Sequence, residues 1–296
     1  CTEAEVDRLG KIVVENKANV IIGIGGGKTL DVSKAVAYYH HLPVILFPTI
    51  ASTDAPCTAL SVLYKENGEF DKYLFLPQNP DMVIADTAII ASAPQRFFSA
   101  GVGDALATYF EARACYQADG LNLVNQRPSR TGLGLAQLCF EILSENIDKA
   151  MDAVRHKITT QALEQTIEAT IYLSGVGAEA GGLAAAHAVN NGMSAVASLH
   201  HVQHGEKVVF GLLTQLVLEN APQEEIDEVI RIIKAAELPL TLEDMGMKEF
   251  IESEWRNVAK IACAEGDTMG NMPMKVTEED VYNAMIAANA LAHRYK

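Results

Sequence analysis

The sequence predicts an α/β domain of Rossmann type, with a parallel sheet truncated at its start, followed by an all-α domain. Two observations carry this. Over the first third, short apolar runs stopped by glycine or proline alternate with stretches of helical spacing. After Pro94 nearly every segment has helical spacing, broken by Gly, Pro or Asn. The boundary is therefore expected at residue 93, with an α/β domain over 1–93 and a helical domain over 94–296.

Residues 3–17 have helical spacing. NVIIGIGGG (19–27) is an apolar run ended by glycines, the mark of a buried parallel strand, and KTLDVSKAVAYY opens a helix directly after it. PVILFPT (43–49) reads as a second buried strand, and TALSVLY, KYLFLP and DMVIAD as further strands of the sheet. Helices are expected near 102–117, 132–147, 159–174, 204–219, 223–236 and 278–292, with loops near 120–130 and 266–276.

Bulk properties narrow the function. The 296 residues can bury one or two cores. A net charge of −15 would repel nucleic acid and anionic membranes, so neither is expected as a partner. No apolar run approaches the roughly 18 residues that span a bilayer. The five cysteines form an odd set without a CxxC pair, which suits reduced thiols and a cytoplasmic location.

Chemistry concentrates in HAVNNGMSAVASLHHVQHGEK, which holds four of the eight histidines, with Asp104 well upstream in GVGDAL. Imidazole nitrogen and carboxylate oxygen together suit zinc or ferrous iron, and three protein ligands leave one coordination position open. His200 and His204 have the i, i+4 spacing of a zinc-protease helix, but that motif needs Glu where His201 stands.

GIGGGKTLD, between strand and helix, is a context in which backbone N–H groups hold a phosphate. It fits neither familiar pattern: the triphosphate loop needs Gly where Ile22 stands, and GxGxxG needs Gly in place of Lys28. Tight strand-to-helix packing is the competing reading of the glycines, and a structural role in the first helical turn is the competing reading of Asp31. TIASTDAPCTALSVLY (49–64) is rich in small hydroxyl residues and reads either as a loop wrapping a ligand or as a Ser/Thr-rich turn.

Taken in order, GIGGGKTLD, PTIASTDAPCTALSVLY, GVGDALATYFEARA, SGVGAEAGGLAAAHAVNNG and HGEKVVFGLLTQLVLENAP resemble the glycerol dehydrogenase family, the zinc-dependent branch of the iron-containing alcohol dehydrogenase superfamily, whose fold is shared with dehydroquinate synthase. The resemblance implies NAD-dependent oxidation of glycerol to dihydroxyacetone, with zinc on Asp104, His187 and His204. It implies NAD contacts at Gly27, Lys28, Thr29, Leu30 and Asp31, at Thr49 and Ser52, and at Thr58, Leu60 and Tyr64. Asp54 matches a residue near the substrate hydroxyls, and a homo-oligomer, an octamer, is implied as the assembly.

Departures from the pattern qualify these expectations. Thr108 stands where wider members carry a fourth ligand, His, consistent with a three-ligand zinc form. Asn190 replaces a second His, so turnover is expected to slow if that position helps move a proton. Members of the superfamily begin with further strand and helix units ahead of the segment matching Cys1, about two βα units of ~30 residues each, and those units hold the adenosine ribose. A truncated, inactive remnant of the family is therefore one alternative. Another zinc and NAD enzyme of the fold, a glycerol-phosphate dehydrogenase or a dehydroquinate synthase, is a second; its charged substrate would need clustered Arg and Lys, whereas only Lys207, Lys28 and Arg113 lie near the metal segments.

Overall fold

Thr2 opens the first helix, α1 (Glu3–Asn16), by accepting the Glu5 amide on its hydroxyl. The computed structural model to which this helix belongs describes residues 1–66 and 70–296. β1 (Ile21–Gly25) stops at glycine, and α2 (Gly27–His40) starts at once with Gly26 as its N-cap. β2 (Val44–Pro48), β3 (Leu60–Tyr64), β4 (Phe70–Phe75) and β5 (Met82–Val83) follow. β1, β2 and β5 form a parallel sheet in that order, with Ile21 opposite Val44 and Ile45 opposite Met82. β1 is an edge of this sheet, and Ile22 and Ile24 on it are 54% and 62% exposed.

β3 and β4 depart from the expectation of one parallel sheet: among the described residues they pair only with each other, antiparallel, with Leu60 opposite Phe75 and Val62 opposite Tyr73. The reason is chain length. Parallel neighbours need a crossover of a dozen or more residues, and only residues 65–69 separate these strands. Ser61 and Leu63 turn to the buried side, where the Ser61 hydroxyl donates to the Asp31 carbonyl of α2 at 3.0 Å. Leu60, Val62 and Tyr64, with Tyr73 and Phe75 across from them, form the other, half-open face.

After β5 come the helices α3 (Thr87–Ser92), α4 (Gln95–Gln117), α5 (Arg130–His156), α6 (Gln161–Glu168), α7 (Ser174–Gly181), α8 (Ala185–Met193), α9 (His204–Leu218), α10 (Gln223–Ala235), α11 (Glu252–Ala262) and α12 (Glu278–His293). A π-helical turn, Ala169–Leu173, joins α6 to α7 inside the segment expected as one helix. α4 begins earlier than its apolar spacing indicates, directly after Pro94 as N-cap. α8 was not expected, because AAHAVNNGM is short and buried on most sides and its Asn-Asn-Gly reads as a break, although His187, Asn190 and Asn191 share one face. α11 was not expected either, although Trp255, Val258, Ala259 and Ala262 bury one face at helical spacing.

The main core lies among these helices, around Leu106, Phe110, Leu143, Ile147, Met151, Phe210 and Trp255, all fully buried. Two small clusters serve the α/β domain, Val6, Val32, Ala35, Val36 and Leu63 on one side of α2 and Leu30, Ala37, Val44 and Leu46 on the other. α4 runs against both α9 and the loop after β2 at glycine contacts. A Cβ on Gly205 would lie 1.8 Å from the Ala100 carbonyl oxygen, and one on Gly101 would lie 2.0 Å from that of Ala51. These contacts bring the middle of α4 to the start of α9.

Candidate metal centre

Asp104 sits in mid-helix on α4 and is 3% exposed. A buried carboxylate must find partners or become neutral. Its Oδ1 is 3.4 Å from Nε2 of His187 on α8 and 3.2 Å from Nε2 of His204, the first residue of α9. The three ligand atoms lie within 4.8 Å of one another. Metal–nitrogen and metal–oxygen bonds near 2.0–2.2 Å put tetrahedral ligands about 3.3–3.5 Å apart, so both Asp104 separations fit a shared small cation. The His204 side chain is 41% exposed against 3% for Asp104, so the cluster opens to solvent on its His204 side.

Charge is balanced locally. Burial would raise the Asp104 pKa, but His204 and His187 outweigh it and hold the carboxyl below its ordinary range. Burial would lower that of His187, and Glu111 and Asp104 outweigh it in turn, raising the imidazole well above its ordinary value.

Glu111 was not expected from the sequence. It lies seven residues after Asp104, two turns along the same face of α4, and is fully buried. Its Oε2 is 2.5 Å from His187 Nδ1, and its Oε1 accepts the amides of Ala184 and His187, each at 2.9 Å. One carboxylate thus caps the start of α8, where Ala184 supplies no side-chain cap, and holds the imidazole with Nε2 toward Asp104. The only signal in the sequence was the i, i+7 interval, which an acidic residue on any exposed helix face could also produce.

Asp54 lies in the loop after β2, and its Oδ2 accepts a hydrogen bond from Ser174 Oγ at 3.0 Å. Burial first, and then the charge of Asp104, push its pKa up to about 7. Thr108, one turn after Asp104, has its hydroxyl 3.0 Å from Ser174 Oγ, so it takes part in a hydroxyl chain ending at Asp54. Asn190, one turn beyond His187, has a buried Oδ1 with no partner among the described residues.

The loop carrying Asp54 is fixed from two sides by residues that sequence reasoning did not single out. Lys34 of α2, whose side chain is fully buried, donates to the carbonyls of Ala55 at 2.7 Å, Thr58 at 3.3 Å and Leu60, and pairs with Asp31 at 3.0 Å. From α7, Glu179 accepts the Ala59 amide at 3.0 Å and the side chain of Asn79, which also donates to the Cys57 carbonyl. The Asp31 carboxylate therefore faces Lys34 and the Val62 amide, inside the protein. The Cys57 thiol, pushed up to about 12 mainly by burial, is no nucleophile, and all five cysteines are free.

The remaining expected residues lie on α2, on the loop after β2 and on β3. The N-terminus of α2 has no side-chain cap, which leaves its first amides, at Gly27 and Lys28, to water or a ligand. A Cβ on Gly26 would lie 2.8 Å from the Cδ1 of Ile50, so a larger residue at this turn requires that side-chain end to shift. Thr29 is exposed, whereas Leu30 packs inward with Val44 and Leu46. The Thr49 amide donates to the Gly25 carbonyl at 3.0 Å, Ser52 is half-buried and Thr58 is buried. Lys28 Nζ stands 5.5 Å above the Tyr64 ring, beside the half-open hairpin face that also carries Leu60. From that face Tyr73 donates to the Asn191 side chain on α8 at 3.3 Å, tying the hairpin to the helix that bears His187.

Known proteins share this fold. The model of the iron-containing alcohol dehydrogenase family matches residues 1–87. A glycerol dehydrogenase of Pseudomonas putida is 52% identical over 295 residues, covering 100% of this chain and 81% of the relative. The crystal structure of a probable glycerol dehydrogenase from Sinorhizobium meliloti 1021 superimposes with a TM-score of 0.96 at 38% identity, covering 100% of this chain and 83% of the other. That of glycerol dehydrogenase from Schizosaccharomyces pombe gives 0.94 at 36% identity, covering 99% and 74%. No helix among the described residues is long and apolar enough to cross a membrane. Identity at this level along the whole chain, on a shared fold, makes the chain a member of the glycerol dehydrogenase family of iron-containing alcohol dehydrogenases.

Proposed function

We propose that the chain oxidises glycerol to dihydroxyacetone, with NAD as hydride acceptor and zinc held by Asp104, His187 and His204. The convergence of these three side chains beside Asp54 carries the reading. When bound, zinc supplies Lewis acidity to a substrate hydroxyl. Asp54, poised near neutral pH, is suited to accept a hydrogen bond or a proton from the polyol. The uncapped start of α2, at Gly27 and Lys28, suits the pyrophosphate of a dinucleotide, and Leu60 and Tyr64 provide an apolar wall that excludes water. Thr29, Thr49, Ser52 and Thr58 add hydroxyl groups near the same path; Asp31 and Leu30 act from beneath by shaping α2. The α/β part, up to about residue 93, carries the cofactor in this reading, and the helical part from 94 carries the metal and substrate.

A neutral polyol suits the site better than a phosphorylated or carboxylated substrate. Arg113, one of the three basic residues near the metal segments, is committed to Glu219 at 2.9 Å and Glu225 at 2.5 Å. The test is NADH formation from glycerol and NAD by zinc-loaded and chelator-treated protein, together with zinc analysis of Asp104→Ala. Zinc-dependent turnover that disappears with the zinc of Asp104→Ala supports the reading. Full zinc occupancy and unchanged rate in that variant would overturn the ligand set, and absence of turnover in both wild-type samples would favour the inactive-remnant alternative.

A further inference from the structure

The segment leading into α7 contains a π-helical turn, Ala169–Leu173, packed against the core, with Ala169 and Thr170 fully buried and Tyr172 exposed. At its end the Ser174 amide donates to the Ala169 carbonyl, five residues back. The same carbonyl receives the Cys139 thiol at 3.3 Å. An extra residue in one turn advances every following side chain by about 100° around the axis, and such turns persist where the rotated residue serves a purpose.

Here the rotated residue is Ser174, which is 1% exposed. Its hydroxyl donates to Asp54 Oδ2 at 3.0 Å and lies 3.0 Å from Thr108 Oγ1. With its proton given to Asp54, Ser174 accepts from Thr108, so the chain of hydrogen bonds has one direction. No hydrogen bond reaches Asp54 Oδ1 among the described residues. The start of α7 also abuts the Asp54 loop, since a Cβ on Gly175 would lie 3.3 Å from the Asp54 carbonyl oxygen.

We infer that Ser174, aimed by the π-helical turn and braced by Thr108, is a positioning residue that pins one oxygen of Asp54 and leaves the other to receive a substrate hydroxyl. This rests on the reading of Asp54 as the carboxylate that meets the polyol.

The experiment compares wild type, Ser174→Ala and Ser174→Thr, each zinc-loaded, by kinetics with glycerol and NAD, zinc content, and glycerol binding followed by saturation-transfer NMR. The expected result for Ser174→Ala is glycerol KM and glycerol dissociation constant raised about tenfold, with NAD KM and zinc content unchanged. Ser174→Thr, which restores a hydroxyl, recovers most of the loss. Thr108→Val, which keeps the volume of Thr108, gives a smaller change in the same direction and serves if Ser174→Ala does not fold. Unaltered glycerol binding in a folded Ser174→Ala, or parallel loss of NAD affinity and zinc, overturns the inference. Wild type that binds glycerol without oxidising it would refute the dehydrogenase reading alone, and the NMR comparison would still decide the role of Ser174.

Discussion

Glu111 illustrates how a residue remote from solvent governs a site at the surface of a cleft. It makes three hydrogen bonds to the start of α8, and two of them, to His187, fix the direction in which the ring nitrogen points. Glu111→Gln keeps the volume but removes the charge that orients the imidazole. Zinc affinity is expected to fall about 10- to 100-fold, measured by competition with a chromophoric chelator; an unchanged affinity would show that His187 is held by packing alone. Asp54 gives a pH-dependent prediction. Its pKa is raised by burial and by Asp104 to about 7, against about 3.9 unfolded, so the native state holds this proton more tightly. Stability from this source is fully present below the unfolded value and is lost as pH rises through about 7. Metal-free wild type should therefore lose more stability between about pH 5 and about pH 8 than metal-free Asp54→Asn, in urea titrations at each pH.

At the level of elements, α2, α4 and α7 divide the work of holding the site. α4 presents Asp104, Thr108 and Glu111 on one stripe, so a ligand, a link to Asp54 and the support of His187 share one rigid frame. Its approach to α9 depends on Gly205, where a Cβ would stand 1.8 Å from the Ala100 carbonyl oxygen. The obstacle is backbone, so relief requires the helices to part. Gly205→Ala should cost about 1–3 kcal/mol of stability or more and weaken zinc retention by moving His204, as read by urea unfolding and zinc analysis. α2 holds the Asp54 loop through Lys34, whose ammonium meets three carbonyls and Asp31 in full burial. Lys34→Met leaves Asp31 buried without its counter-charge and should destabilise by about 3–5 kcal/mol; a loss under about 1 kcal/mol would mean that water replaces the ammonium.

For the whole molecule, the side chains of the candidate metal centre come from α4 and, much later in the chain, from the neighbouring helices α8 and α9, and Asp104 meets the two histidines only when the helical core is packed. A cation bound by the folded state and not by the unfolded one stabilises the whole helical assembly. At free zinc about 100-fold above its dissociation constant, the gain should be about 2.7 kcal/mol, visible as a rise in Tm that chelator reverses. A Tm independent of zinc would contradict the proposed site.

The sequence by itself determined the order of β1, α2 and β2, because buried parallel strands are continuous apolar runs and glycine stops them cleanly. It also marked the histidine-rich segment 187–204, with Asp104 upstream, as a candidate metal site, while the choice of His187 and His204 among its four histidines came from the family resemblance. The tertiary structure decided what depends on proximity between distant segments. Pairing of β3 with β4 was settled by the short connection between them, α8 was masked by burial on most sides, and the partners of Asp31 and Asp54 lay elsewhere in space. Glu111, Lys34, Ser174 and Glu179 are ordinary helix residues in the sequence, with nothing in their spacing to mark them. Their roles arise because buried charges and hydroxyls must find partners, and only the packed chain fixes which partners lie within about 3 Å.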